Sequence, residues 1–157
     1  MRKFKREKDA VWALDVLDRA PYVTVSFVRP DSTPYGLPLS LARKDERTFY
    51  FHCAKDGEKL DCIKNNPYVS LSAVSRCTPK YEEERNNFTE YFHSAVAVGI
   101  AEFVEDEQEK IEALRLICER FLPHYMSHFD AAIERSLTIT EIVRITLTEP
   151  PVGKCKP

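Results

Sequence analysis

The 157-residue sequence lacks a long hydrophobic run, a strong excess of either charge, and the glycine-rich motifs of nucleotide-binding enzymes. Its basic first residues are followed at once by Glu7 and Asp9 rather than by an apolar segment, so we expect neither a secretory signal nor a membrane span. A formal net charge of −2 gives no overall basic field, which disfavours a nucleic-acid partner. The sequence contains no Walker loop, no dinucleotide fingerprint and no serine–histidine–acid pattern, so nothing in it indicates hydrolysis or phosphoryl transfer.

A disulfide framework is also missing, because the five cysteines are odd in number, widely spaced and free of any C-x-x-C pair. Such usage favours reduced thiols and a cytoplasmic protein. Cys118, His124 and His128 have the spacing C-x5-H-x3-H, but a structural zinc site takes four ligands and no fourth lies nearby. We therefore predict no metal site, and we expect Cys62 and Cys118 to pack on the apolar faces of helices.

The length and a hydrophobic content of 43% suit one domain with a substantial core, spanning residues 1–157. Helical spacing predicts helices at 8–19, 58–65 and 107–122. Hairpin-linked strands do not fit a parallel doubly wound sheet, so the predicted fold is mainly β (α+β), built on an antiparallel barrel. Apolar residues at alternate positions predict its six strands, at 22–28, 35–42, 48–53, 69–73, 90–105 and 139–147.

Three segments give weaker signals. Residues 79–90 are charged and have no clean period, which indicates a solvated surface loop or a mobile lid. The alternation of the fifth strand slips at Gly99, which predicts a bulge or a sharp bend. The tail from Glu149 onward is expected to be extended and partly loose.

The stretch 50–67 is the most informative part of the sequence. It begins as a strand, turns at Asp56-Gly57 and continues as a short helix. The first N–H groups of a helix lack partners, so such a junction can bind an anion; Lys59 adds a full charge, and Gly57 lets a ligand approach the backbone. The alternative is a plain turn in which Asp56 caps the helix and Lys59 is only solvated. Glu58 favours this alternative unless its side chain points away.

The predicted strand 35–42 has two different faces. Leucines lie on one face, and small residues lie on the other, leaving a low surface that a flat ring could approach: Gly36, Pro38, Ser40 and Ala42. Because proline cannot donate to a ladder on both sides, this is expected to be an edge strand. The two interpretations are compatible, since an unpaired edge has free N–H and C=O groups to offer a ligand.

A longer pattern connects these stretches. It reads F-H-x-A-x-x-G-x-K-x-x-x-I-x-x-N-P-x-V and is carried by Phe51, His52, Ala54, Gly57, Lys59, Ile63, Asn66, Pro67 and Val69. A P-Y-x-x-P precedes it at 34–38, and S-x-V-x-x-G-x-A-x-x-V-E-D at 94–106 and I-V-R-I-T-L-x-E-P-x-V-G-K at 142–154 follow it. In this order the patterns resemble the pyridoxamine 5′-phosphate oxidase-like flavin-binding proteins, and most of all their nitroimidazole-resistance branch.

The resemblance implies a six-stranded antiparallel split β-barrel with peripheral helices and an FMN cofactor, with FAD as the other choice. It also implies a homodimer with the flavin in a groove between the subunits. Ser94 matches a family position that contacts the flavin phosphate, and His52 matches one near both flavin and substrate. The full set of cofactor-binding residues that it implies is Pro38, Leu39, Ser40, Phe51, His52, Ala54, Gly57, Lys59 and Ser94.

His52 is the candidate catalytic residue. It alternates with Phe51 along the third strand and so should face the ligand groove, as proton donor to a reduced substrate or as ligand to the flavin edge. A strand histidine hydrogen-bonded across the barrel wall is the structural alternative. Cys53 is expected to point into the core and to be inert.

The function expected from the resemblance is FMN-dependent reduction of small electron-poor molecules such as nitroaromatics and nitroimidazoles. A flavin-binding protein without turnover, acting in storage or sensing, is the first alternative. The second is haem binding, known in related split barrels, with His52, His93 or His124 as an axial ligand.

Overall fold

The computed structural model describes residues 4–157, in which there are nine strands and four α-helices. The first three residues of the basic start lie outside the described residues. The strands are β1 (Glu7–Lys8), β2 (Val23–Val28), β3 (Pro34–Leu39), β4 (Ala42–Arg43), β5 (Thr48–Ala54), β6 (Tyr68–Glu82), β7 (Asn87–Phe103), β8 (Thr140–Leu147) and β9 (Val152–Lys156). The helices are α1 (Ala10–Arg19), α2 (Glu58–Asn65), α3 (Glu107–Phe121) and α4 (Phe129–Ser136).

The strands pair antiparallel in the order β3-β2-β6-β7-β8-β5-β4, while β9 pairs with β7 and with β1. This confirms the predicted mainly β fold with peripheral helices. The predicted count of six strands is too low. The tail is extended as predicted, but residues 152–156 form the paired strand β9 rather than a loose end. Two of the added strands, β1 and β4, have only two residues each, too few for alternation to show. The inward positions of β9 are Gly153 and Cys155, so its alternation is hidden from a hydrophobic pattern.

The predicted surface loop at 79–90 is wrong. The β6–β7 ladder runs without a break from the pair Arg76–His93 to the pair Glu82–Asn87, and a short 3-10 turn at Glu83–Arg85 joins the strands. These side chains are exposed or half-buried on both faces of the hairpin, and none is fully buried. Because neither face is buried here, the sequence shows no period of two.

Gly99 is explained by close approach rather than by a bulge. The ladder passes through it in register, opposite Val69 and Leu147, and the register shift of β6–β7 lies between Val74 and Arg76 instead. A Cβ at Gly99 would lie 2.8 Å from the Thr146 carbonyl oxygen. The predicted bulge at Gly99 is therefore wrong, and the glycine allows β7 and β8 to pack closely.

Two apolar clusters lie on opposite faces of β5. Phe49 and Phe51 belong to the larger cluster, on which α1 and α2 pack. Tyr50 belongs to the smaller one under α3 and α4, and its hydroxyl donates to Glu109 Oε1 at 2.8 Å. His52, two residues further, therefore lies on the Tyr50 face of the strand and outside the barrel.

The helices of residues 4–157 include none with the length and apolar character that a membrane crossing needs.

Candidate functional site

The chain turns sharply between β5 and α2, and we name residues 52–60 the β5–α2 corner. Gly57 is the N-cap of α2, with φ of 126° and ψ of 157°, and no side chain caps the helix within the described chain. The Leu60 N–H donates to the Gly57 carbonyl at 2.9 Å, which leaves the amides of the first turn before it free for a ligand. The alternative in which Asp56 caps α2 is therefore wrong.

The backbone of the corner is open to solvent. A Cβ built on Gly57 would meet no atom within 4 Å, so nothing in the described chain covers this side of the turn. The positive φ is one that residues with a Cβ rarely adopt. Gly57 thus both shapes the turn and leaves room for a ligand to reach the helix start.

The carboxylate of Glu58 is already paired. Arg29, just after β2, donates to Glu58 Oε1 at 2.5 Å, and its guanidinium lies 4.6 Å from the centroid of the Tyr35 ring. Both charged groups are partly exposed, so this pair adds little to stability. The ion pair does hold the Glu58 carboxylate toward β2 and neutralises its charge. Glu58 therefore does not repel an anion at the start of α2.

Lys59 is half-buried and has no carboxylate within 4 Å among residues 4–157. Its charge acts on the neighbouring Cys53, where burial raises the pKa of the thiol and Lys59 partly opposes this effect. The raised pKa keeps Cys53 protonated and unreactive at neutral pH, and its side chain packs against the larger cluster as predicted. Lys59 remains as an unpaired cation beside an uncapped helix N-terminus.

His52 is exposed on the outer side of β5, opposite Ile142 of β8. Although its surface is accessible, crowding around the ring reduces hydration and lowers the pKa of the imidazole. At neutral pH the ring is therefore neutral, and it can accept a hydrogen bond at one nitrogen and donate at the other.

The Phe51 side chain lies inside the barrel. Its side chain is 1% exposed and lies among the barrel residues of the larger cluster. A ligand outside the barrel can therefore touch Phe51 only through its backbone. The same strand alternation that turns His52 outward turns Phe51 inward.

Pro38 and Leu39 end an edge strand, as predicted, and Ser40 follows directly after it. Among the strands of residues 4–157, β3 pairs only with β2 and forms one end of the sheet, with Pro38 exposed opposite Thr24. The linker of Ser40 and Leu41 then carries the chain to β4, which pairs with β5 at Ala42–Tyr50. Ser40 and His52 each lie two residues from that pair, so the linker leads toward the β5–α2 corner.

Ser94 lies on a different surface. It pairs with Val74 of β6 and Lys154 of β9, whereas β8, the neighbour of β5, pairs with β7 only from Gly99 to Phe103. Ser94 is therefore separated from the β5–α2 corner of the same chain. The sequence could not show this, since the register of long strands depends on pairing partners.

An uncovered sheet face extends from Pro38 toward Ser94, and sequence reasoning missed it. The ladder places Pro38, Thr24, Ser72 and Val96 in one row across four strands, and all four are exposed. We name these residues together with Val74 and Ser94 the outer sheet face. Val74 and Val96 are 50% and 44% exposed, which leaves apolar surface on a face of small side chains. Alternating serines in β6 were its only sequence signal.

The corner lies at the surface of the chain, with Ala54, Gly57 and Glu58 exposed. A cavity of about 310 Å³ lies elsewhere, between α1, the β4–β5 turn and the loop before β9. Residues 4–157 contain no group of three His, Cys, Asp or Glu side chains that could hold a metal ion.

The fold is that of a split-barrel protein, and its β5–α2 corner presents an uncapped helix start. The model of the pyridoxamine 5′-phosphate oxidase family matches residues 7–152, and the chain belongs to this family. The resemblance seen in the sequence is thereby confirmed. A comparison with curated proteins finds no match.

Solved structures share the fold at low sequence identity. One is described as a 5-nitroimidazole antibiotic resistance protein from Bacteroides thetaiotaomicron, with a TM-score of 0.79, 21% identity, and coverage of 94% of this chain and 84% of that chain. A FAD and haem binding protein from Mycobacterium smegmatis has a TM-score of 0.79 and 19% identity, covering 96% and 73% of the two chains. A flavocytochrome from Azotobacter vinelandii has a TM-score of 0.77 and 18% identity, covering 100% and 72%.

Proposed function

We propose that this chain is a cytoplasmic FMN-binding protein and an FMN-dependent oxidoreductase of small electron-poor molecules such as nitroaromatics. The observation that carries the cofactor assignment is the uncapped start of α2 beside the unpaired Lys59. Family membership supports a flavin, and the nitroimidazole-resistance neighbour supports the substrate class.

The corner has the donors that a phosphate monoester needs. The free amides at the start of α2 point along the helix axis, where the helix dipole favours negative charge. Lys59 supplies a full charge, while Glu58 is held aside by Arg29. A phosphate placed here gains charge-assisted hydrogen bonds without displacing an ion pair, so the residues present fit the FMN phosphate.

The remaining residues would orient the ring. FMN supplies the electron transfer itself when it is bound. The free edge of β3 at Pro38–Ser40 offers backbone groups to the polar rim of the ring, and Ala54 leaves space at the end of β5. The neutral His52 would hold one hydrogen bond at the ring edge or at the substrate.

The residues assigned to the flavin lie on two surfaces, the β5–α2 corner and the outer sheet face, and this arrangement supports a homodimer. Ser94 and Lys59 are both assigned to the flavin phosphate, yet they lie on different surfaces of one chain. A second copy that docks on the outer sheet face would bring its own corner toward Ser94 and Pro38 and would cover a flat ring from the other side. We propose that the site is shared between two chains in this way.

Light scattering tests the shared site. We expect a single species of twice the chain mass of 18.2 kDa, both with and without FMN. Val96→Arg places an unpaired charge on the outer sheet face and should reduce both dimer content and FMN affinity. A monodisperse monomer that binds FMN as tightly as wild type contradicts the shared site.

An absorption spectrum and a flavin titration test the cofactor. We expect flavin bands in the purified protein or after addition of FMN, and anaerobic bleaching by a nicotinamide donor if the protein turns over. A flavin that binds but accepts no electrons would leave the storage or sensing alternative. A haem spectrum without flavin bands, or no response to FMN or FAD, would reject the assignment.

A further inference from the structure

Arg120, in the last turn of α3, ties together two parts of the chain that are distant in sequence. One terminal nitrogen donates to the carbonyls of Leu17, Asp18 and Ala20 at 3.0, 2.6 and 3.0 Å. The other terminal nitrogen donates to the carbonyl of Leu41. A single guanidinium therefore joins the end of α1 to the linker between β3 and β4.

The α1 carbonyls need this partner. The last carbonyls of a helix receive no hydrogen bond from an N–H group of the same helix. A cation at this end also interacts favourably with the helix dipole. The Ala20 N–H already donates to the Val16 carbonyl, which leaves the carbonyls of Leu17, Asp18 and Arg19, and Arg120 bonds the first two. Arg120 fills the place that a C-terminal cap would take.

The Leu41 carbonyl belongs to the two-residue linker of Ser40 and Leu41, which lies in neither β3 nor β4. The Leu41 side chain is buried in the larger cluster, while Ser40 is only half-buried. Arg120 thus fixes the backbone of the linker from the side of α3. The residues directly before the fixed carbonyl are Pro38, Leu39 and Ser40.

Carbonyl groups rather than a carboxylate hold Arg120. The nearest acid, Asp18, is engaged by Arg43 through bonds of 3.0, 3.0 and 2.5 Å. Loss of hydration lowers the pKa of Arg120, and the charge of Asp18 partly opposes this. The planar guanidinium can bond in two directions at once, which a lysine ammonium on a flexible stem does far less well.

We propose that Arg120 is a positioning residue for the cofactor: by holding the Leu41 carbonyl it fixes the Pro38–Ser40 edge against which the flavin ring lies. This inference rests on the proposed flavin function. Arg120 itself touches neither the ring nor the phosphate. Its removal should therefore weaken FMN and riboflavin equally, unlike a change at Lys59.

The test compares Arg120→Met with Arg47→Met in the full-length protein. Arg47 also donates twice to one backbone carbonyl, that of Leu147, at 3.0 and 2.7 Å, but far from the β3 edge. We expect Arg120→Met to lower the affinity for FMN and riboflavin by about tenfold each and to alter the spectrum of the saturated flavin. Arg47→Met should lose thermal stability with both affinities unchanged.

Arg120→Lys keeps the positive charge and is the second test variant, to be used if Arg120→Met does not fold. It should show the same paired loss of affinity, since one nitrogen cannot span Leu41 and the end of α1. Wild-type affinities in a folded Arg120 variant, or an equal loss in Arg47→Met, overturn the positioning role. If wild-type protein binds no flavin, the proposed function fails, and this inference fails with it.

Discussion

Lys59→Ala should lower the affinity for FMN by about ten- to a hundredfold and leave the affinity for riboflavin unchanged. The substitution removes a hydrogen bond from a charged donor to the phosphate, worth roughly 1.5–3 kcal/mol. Riboflavin has no phosphate and therefore does not depend on this contact. The fold should persist, because Lys59 forms no ion pair among residues 4–157 and alanine is the better helix former.

Lys64→Ala is the matched control for this prediction. Lys64 lies on the same helix, is 64% exposed and pairs only loosely with Asp61 at 3.8 Å. Both variants should be titrated with FMN and riboflavin at one fixed salt concentration, since the contact is electrostatic. An FMN-to-riboflavin affinity ratio in Lys59→Ala equal to that of wild type would rule out the phosphate contact. A loss shared by both ligands would also count against it.

Phe51→Ala should lower the free energy of unfolding by roughly 3–5 kcal/mol. The ring is 1% exposed and packs inside the larger cluster, so its removal leaves a cavity where the β-sheet meets α1 and α2. Urea denaturation of wild type and variant measures the difference. Phe88→Ala is the control, because that ring is 84% exposed at the hairpin tip and its loss should change stability by about 0.5 kcal/mol or less.

Phe51→Leu separates packing from ligand contact. Leucine keeps most of the buried surface, so the protein should fold with a modest loss and should bind FMN as wild type does. A variant that is stable yet loses FMN would show that the Phe51 ring contacts the cofactor. That result would contradict the assignment of Phe51 to the core.

The sequence predicted those elements that have one buried face. Alternation in β2 and β5 and helical spacing in α1 and α3 gave their positions closely, because burial of one face imposes a period. The outer half of the β6–β7 hairpin has no buried face, so its sequence has no period and predicts a loop. Gly99 broke the pattern for a reason that only the approach of β8 explains.

The candidate site was predictable where it is continuous in sequence. His52, Ala54, Gly57 and Lys59 follow one another around a single turn, so their proximity needs no knowledge of the sheet. The pairing of Glu58 with Arg29, the separation of Ser94 from the corner and the Arg120 tether each depend on contacts between distant segments. Those contacts are set by strand register and helix packing, which local patterns do not encode.

Amide NMR of isotope-labelled protein during an FMN titration tests the central claim most directly. If the phosphate lies at the start of α2, the amide signals of Gly57, Glu58 and Lys59 should move with FMN, while riboflavin leaves them nearly unchanged and still moves those of Leu39 and Ser40. FMN binding that leaves the three α2 amides unmoved, or that moves them equally with riboflavin, would contradict the proposed site.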